Sequence, residues 1–232
     1  VVTPRIGKPV EINALWVNAL RIVAALAAEL GDRAALERFG QMAERAHASF
    51  NARFWYSGGY LYDVIDGPDG DDPTLRPNQI FAVSLPFDLL DDEKARAVVD
   101  ICARELVTSY GLRSLAPDET DYVGHYGGDQ LQRDSCYHQG TAWSWLLGPF
   151  VSAHYKVYRD ADTAYSYLKP LADHLNSRGL GTISEIFDGD PPHTPRGAVA
   201  QAWGVAEVLR VWRTLQPALV QSASREMLRV GA

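Results

Sequence analysis

Carboxylate, amide, imidazole and aromatic side chains recur along this 232-residue chain in short clusters. Glu11, Asn13 and Trp16 form the first, Asn78 and Gln79 the second, and Tyr122, His125, Tyr126 and Asp129 the third. His138, Gln139, Trp143 and Trp145 follow, and Glu185, Gln201 and Trp203 come last. Aromatic faces pack on the C–H faces of a sugar ring, while acids and amides meet its hydroxyl groups as paired acceptors and donors. A carbohydrate is the substrate class that fits this set. Cleaving a glycosidic bond needs two carboxyl groups flanking it, one protonated as acid and one ionised as base or nucleophile. Glu185 is the first candidate. It stands in "LGTISEIFDGDPPHTPRGAVAQAW", framed by Gly181 and Gly189, and its apolar neighbours Ile183, Ile186 and Phe187 anchor the segment. The residues alone leave two roles open for it, catalyst or loop anchor.

Other members of the set have plainer roles. Trp143 and Trp145 lie in a dense apolar stretch, where at least one packs in the core, and His138 and Gln139 sit where they could cap a helix. Asp118, Glu119 and Asp121 read as a solvated loop. The run "DGPDGDDP" from Asp66 reads as a turn, since it lacks the terminal acid of a calcium loop. No metal or organic cofactor is called for.

The elements that must carry these residues are mostly helical. Apolar residues recur at helical spacing through "EINALWVNALRIVAALAAEL", "DRAALERFGQMAERAHASFNARFW" and "DEKARAVVDICAREL". Pro9, Asp32 and Asp91 with Asp92 supply start signals. "PNQIFAVSLPF", "GTAWSWLLGPFVSAHYKVY", "ADTAYSYLKPLADHLNSR" and "GAVAQAWGVAEVLRVWRTL" complete a set of about seven helices, followed by a C-terminal tail, with little room for sheet. Tyr60–Val64 is the one short strand expected. Helices starting near Pro9, Pro77, His138 and Gly197 are densely apolar, whereas those starting near Asp32, Asp92 and Ala161 have a charged face. Buried inner helices alternating with half-exposed outer ones predict an all-α fold of the α/α-barrel kind. Inner-to-outer links are short. The outer-to-inner links Thr108–Tyr137 and Gly179–Arg196 are long, and such loops gathered at one end of a scaffold make a site.

Composition narrows the partners. The net charge is −7, and none of the 22 Lys and Arg residues forms a run, which argues against nucleic acid. No stretch is expected to reach the length of a membrane span, and no signal peptide is read at the N-terminus. Cys102 and Cys136 have the spacing of neither a metal site nor a disulfide framework and read as free thiols of a reducing, cytoplasmic setting. With 47% hydrophobic residues, the chain has enough apolar surface for a real core. The start, "VVTPRIGKPVEI", reads like the middle of a protein.

Four motifs, "TPRIGKPVEINALW", "PNQIFAVSLP", "GLRSLAPDETDYVGHYGGDQLQRDSCYHQGTAWSWLLGPF" and "SEIFDGDPPHTPRGAVAQAW", resemble in order the C-terminal amylo-α-1,6-glucosidase domain of glycogen-debranching enzymes. The resemblance implies a glucoamylase-like (α/α)6 barrel, of which residues 1–232 would be the C-terminal part. It implies inverting hydrolysis of α-1,6-linked glucose in branched α-glucan, that is, glycogen or limit dextrin. Glu185 matches the family's general base in a segment like "Glu-x-Phe-Asp". Glu11, Trp16, Asn78, Gln79, Tyr126, Asp129, His138, Gln139 and Trp143 are carried over as substrate-binding residues. "TAWSW" stands where "TVWPW" is commoner.

In this family the general acid lies on the loop before the sixth helix, in a Trp-Met-Asp stretch. It is therefore expected upstream of Thr3, together with roughly five barrel helices. Glu11 is the one acid in the chain placed to replace it. Without those helices the chain is expected to expose apolar flanks and to bind the missing half of the barrel or itself. A non-catalytic glycan-binding partner and a glycoside phosphorylase are the other readings.

Overall fold

The computed structural model describes residues 3–178 and 180–230, with side chains to residue 221. Of the expected 1–232 span, Val1, Val2, Gly179, Gly231 and Ala232 lie outside the described residues.

Strand β1 (Lys8–Pro9) leads into helix α1 (Val10–Glu29), and α2 (Arg33–Arg53) turns back after Gly31. Asp32 caps α2, its carboxylate accepting the Ala35 N–H at 3.0 Å. Four short strands follow: β2 (Trp55–Tyr56), β3 (Tyr60–Leu61), β4 (Val64–Gly67) and β5 (Gly70–Asp72). The strand expected at Tyr60–Val64 is therefore two. Tyr60–Leu61 pairs back on Trp55–Tyr56, while Val64 and Ile65 pair with Pro9 and Lys8. That second pairing ties the start of α1 to the segment holding Asp63.

The helix expected over Pro77–Phe87 is a single 3-10 turn (Pro77–Ile80) and the short α3 (Phe81–Ser84). Pro86 explains the stop. The residue before a proline is driven out of the helical region, and Leu85 is extended at ψ 155°. Helix α4 (Asp92–Glu105) is capped by Asp91 at 2.8 Å. Strand β6 (Leu112–Arg113) and helix α5 (Gln130–Cys136) come next.

The helix expected over residues 140–158 begins late. Strand β7 (Ala142–Trp143) is held between β6 and β8 (Ile186–Phe187), a 3-10 turn follows, and α6 spans Leu147–Tyr158. The next helix is broken into α7 (Ala161–Ser166) and α8 (Lys169–Ser177) at Pro170, which has no N–H to continue the first ladder. Strand β9 (Pro195–Arg196) precedes α9 (Ala202–Val230), which runs on through Pro217 where a tail was expected.

Inner helices α1, α3, α6 and α9 touch in that order, with α2, α4 and α7 outside them. The alternation read from the sequence thus becomes two curved layers around a common core of residues such as Val10, Phe50, Ile80, Phe150 and Leu215. The sheet content was underestimated. Leu112, Trp143, Ile186 and Arg196 pair across one four-stranded sheet, which draws three long loops to one end of the helices.

Both ends of the inner layer remain uncovered. Helix α1 buries Val10, Ala14, Val17, Leu20, Ala24 and Ala27 but exposes Ile12, Leu15, Trp16, Ile22, Val23 and Leu26. Contrary to the expectation of no such stretch, α1 is long and apolar enough to cross a membrane by length and composition alone. Its packing against α2 is that of a core helix with one open face. On α9, Trp203, Leu209, Trp212 and Val220 are exposed.

Candidate active site

Glu185 immediately precedes β8, whose Ile186 and Phe187 are buried. The strand fixes its backbone from both sides. The Glu185 N–H donates to the Ala198 carbonyl at 3.0 Å, and the Ser144 hydroxyl lies 2.9 Å from the Ser184 carbonyl and 3.2 Å from that of Glu185. The half-buried carboxylate is held too. Tyr137 donates its phenolic O–H to Oε1, and the Ala198 N–H donates to Oε2 at 2.7 Å.

Beyond Tyr137, on the side of Trp143, lies an open hollow of about 330 Å³. Asn78, His138, Trp143, Trp145 and Trp203 line it together with Arg5 and Arg76. His138 stacks on Trp143 with rings 5.2 Å apart and 4° from parallel. Trp145 stacks on Trp203 at 3.9 Å, and Trp203 remains half exposed at 51%. Tyr137 joins the carboxylate to the hollow, since its ring meets the edge of Trp143 at 4.8 Å. Aromatic platforms beside polar groups are the surface that a pyranose needs.

Charges under the hollow form a compact network. Arg5 donates to Glu11 at 2.6 and 2.8 Å and to Asp63 at 2.6 and 3.0 Å. Asn78 donates to Asp63 at 2.8 Å. Burial works against the Arg5 charge, but Glu11 and Asp63 more than offset it and hold the guanidinium above its ordinary value. Arg76 donates to the His138 carbonyl at 2.7 Å and to Gln139 Oε1 at 2.6 Å. Partial desolvation first, then Arg76 and Arg5, hold the His138 imidazole below its usual range, which favours a neutral ring.

The expected binding residues therefore divide. Asn78, His138 and Trp143 line one hollow, although Trp143 lies in a strand rather than a helix and is only 7% exposed. Tyr126 packs on Tyr137 with ring centres 5.8 Å apart. Glu11 and Gln139 act one layer back, holding Arg5 and Arg76. Gln79 is buried, with Oε1 accepting the Leu61 N–H and Nε2 reaching the Arg76 carbonyl, so its amide is already occupied. Asp129 caps α5 in a reciprocal capping box with Gln132. Trp16 lines a different hollow with Asn13 and Phe50, because it lies about 7.5 Å further along α1 than Glu11.

Sequence reasoning passed over Arg5, Asp63, Arg76 and Tyr137. Tyr137 was within reach, as it adjoins His138 in the same motif. Asp63 was not, because only the β1–β4 pairing brings it to Arg5. Asp188 clasps the site from outside, accepting the Tyr126 N–H at 2.9 Å and the Arg196 guanidinium at 3.0 Å.

The sequence profile of the amylo-α-1,6-glucosidase family matches residues 1–210. The chain belongs to that family. Amylo-α-1,6-glucosidase relatives include the glycogen debranching enzyme of Saccharomyces cerevisiae, which is 27% identical over 67% of this chain and 13% of its own length. Among solved structures, the GH63 mannosylglycerate hydrolase of Thermus thermophilus, in complex with Tris and D-glycerate, superposes at a TM-score of 0.65. It is 16% identical and matches 89% of this chain and 46% of that one. A sialidase structure superposes at 0.66 with 12% identity, over 84% of this chain and 18% of its own. The fold is that of the (α/α)6-barrel glycosidases, and this amylo-α-1,6-glucosidase family member spans less than half the length of the relatives just named. Membership places it among glycoside-hydrolase-related proteins.

Proposed function

We propose that this chain supplies the general base and one sugar-binding wall of an inverting α-1,6-glucosidase that releases glucose at the branch points of glycogen or limit dextrin. The observation that carries this reading is the Glu185 carboxylate, linked through Tyr137 and Trp143 to an aromatic and amide-lined hollow. Glu185 takes a proton from a water that attacks the anomeric carbon on the face opposite the departing oxygen. Asn78 and His138 meet sugar hydroxyls, while Trp143, Trp145 and Trp203 shape the apolar walls.

The leaving oxygen needs a proton from a second carboxyl group, which in inverting enzymes lies roughly 6.5–9.5 Å from the first. Glu11 is a poor donor, because Arg5 occupies both of its oxygens. Asp63 is buried and engaged by Arg5 and Asn78. The proposal therefore takes the acid from a segment outside these 232 residues, with the apolar faces of α1 and α9 as the surfaces on which further helices of the same barrel would pack.

The test is glucose release from a branched limit dextrin, by this chain alone and with the preceding half of the barrel supplied in trans. Release that requires both pieces, and that falls by two or more orders of magnitude in Glu185→Gln, is the expected result. Strong release by the chain alone would make Glu11 the acid to test. Dextrin binding without any release from the assembled pieces would point to a glycan-binding role, and dependence of turnover on phosphate to a phosphorylase.

A further inference from the structure

We infer that Tyr137 is the positioning residue of the candidate base, orienting the Glu185 carboxylate toward the attacking water. The inference rests on Glu185 being that base and adds how its orientation is set.

Two neutral donors from different segments hold the carboxylate. Tyr137, at the C-terminal end of α5, donates to Oε1, and the Ala198 N–H after β9 donates to Oε2 at 2.7 Å. Each oxygen keeps a second lone pair for water. Gly197 keeps the arrangement open, because at φ +66° a Cβ there would lie 2.5 Å from Oε2.

Tyr137 is itself well anchored. Its ring packs edge-on against Trp143 at 4.8 Å and against His138 at 4.9 Å, and its carbonyl accepts from the Thr141 hydroxyl at 2.6 Å. Burial first, and then Glu185, raise the phenol above its ordinary value, so it remains a donor.

The contrast with neighbouring acids carries the argument further. Glu11 and Asp63 meet Arg5, and Asp188 meets Arg196. A cation bound to a carboxylate occupies lone pairs that a water would otherwise use. Among the described residues, Glu185 is held by neutral donors alone, which fix its direction and leave a lone pair on each oxygen for water. Of the four acids, it is the one held without an arginine.

One experiment reads the contact and another its consequence. With tyrosines carrying carbon-13 at Cζ, the Tyr137 resonance is identified by its loss in Tyr137→Phe and compared between the wild-type chain and Glu185→Ala. A displaced resonance is expected, and an unmoved one overturns the contact. In the assembled glucosidase, Tyr137→Phe should lower kcat roughly 10- to 100-fold with KM within about twofold. In a Glu185→Ala background rescued by azide, the same substitution should have no further effect. A full effect persisting there, or an unchanged kcat beside an active wild type, removes the positioning role while leaving Glu185 as base. An assembled wild type that releases no glucose overturns the base and the role together, and the resonance still decides the contact separately.

Discussion

Gly197 shows how little freedom the loop around Glu185 has at the level of single residues. It occupies the left-handed region at φ +66°, beside the carboxylate of Glu185. Gly197→Ala would add about 1 kcal/mol of backbone strain and push a methyl group against Oε2. The expected outcome is a modest drop in the urea midpoint with a disproportionate loss of glucose release by the assembled protein. Equal, proportionate losses would mean that the glycine matters to folding alone. The two acids for which the sequence predicts different roles also separate by partner. Glu11 is bound by an arginine and Glu185 by a phenol and an amide, although both are solitary acids in apolar surroundings.

At the level of elements, the four-stranded sheet matters most, because three loops distant in sequence meet in it. Asp188, directly after β8, ties the sheet to the loop at Tyr126 and to Arg196 on β9. Asp188→Ala leaves the partly buried Tyr126 N–H and a partly exposed guanidinium without their acceptor, so a loss of about 2 kcal/mol in unfolding free energy is expected from urea titration. His174 on α8 supports the neighbouring segment, accepting the Ser184 N–H at Nε2, 3.3 Å away. Its rings of contact are Tyr110 and Phe187. Burial lowers the His174 value in the folded state, as it does for His154. The unfolded chain therefore binds a proton first. This contribution to stability is fully present above the unfolded value of about 6.5 and is lost as pH falls through the folded one. Unfolding midpoints at pH 7.5 and 5.5 should differ, with the lower at pH 5.5, and His174→Gln should shrink the difference. An undiminished difference in that variant would assign the effect to other groups.

For the whole molecule, the uncovered face of α1 dominates solution behaviour. Ile12, Leu15, Ile22 and Leu26 follow helical spacing along one stripe and are exposed, and a contiguous apolar surface of that kind marks an interface. The isolated chain should sediment above its monomer mass of 25.6 kDa. Ile22→Lys with Leu26→Lys should return it to the monomer without loss of helical signal, since neither side chain packs in the core. On the proposed function, the same pair should also weaken complementation by a preceding barrel segment supplied in trans. A wild-type chain that is monomeric at high concentration would show that the stripe drives no self-association.

The sequence by itself determined the alternation of apolar and amphipathic helices, the caps at Asp32 and Asp91, and the crowding of polar and aromatic residues into the long loops. Those features depend on local periodicity and on side chains meeting their own backbone, so they are written within a few residues of where they act. Only the tertiary structure decided that Ala142–Trp143 is a strand, that Asp63 joins Arg5 across 58 positions, and that Tyr137 reaches Glu185 across 48. It also divided the nominated binding residues into those lining the hollow, those bracing its arginines, and Trp16, Gln79, Tyr126 and Asp129 elsewhere. The physical reason is the same in each case. Pairing between distant segments overrides local helical preference where it satisfies backbone groups that would otherwise be buried without partners, and nothing in the spacing along one segment records which distant segment will meet it.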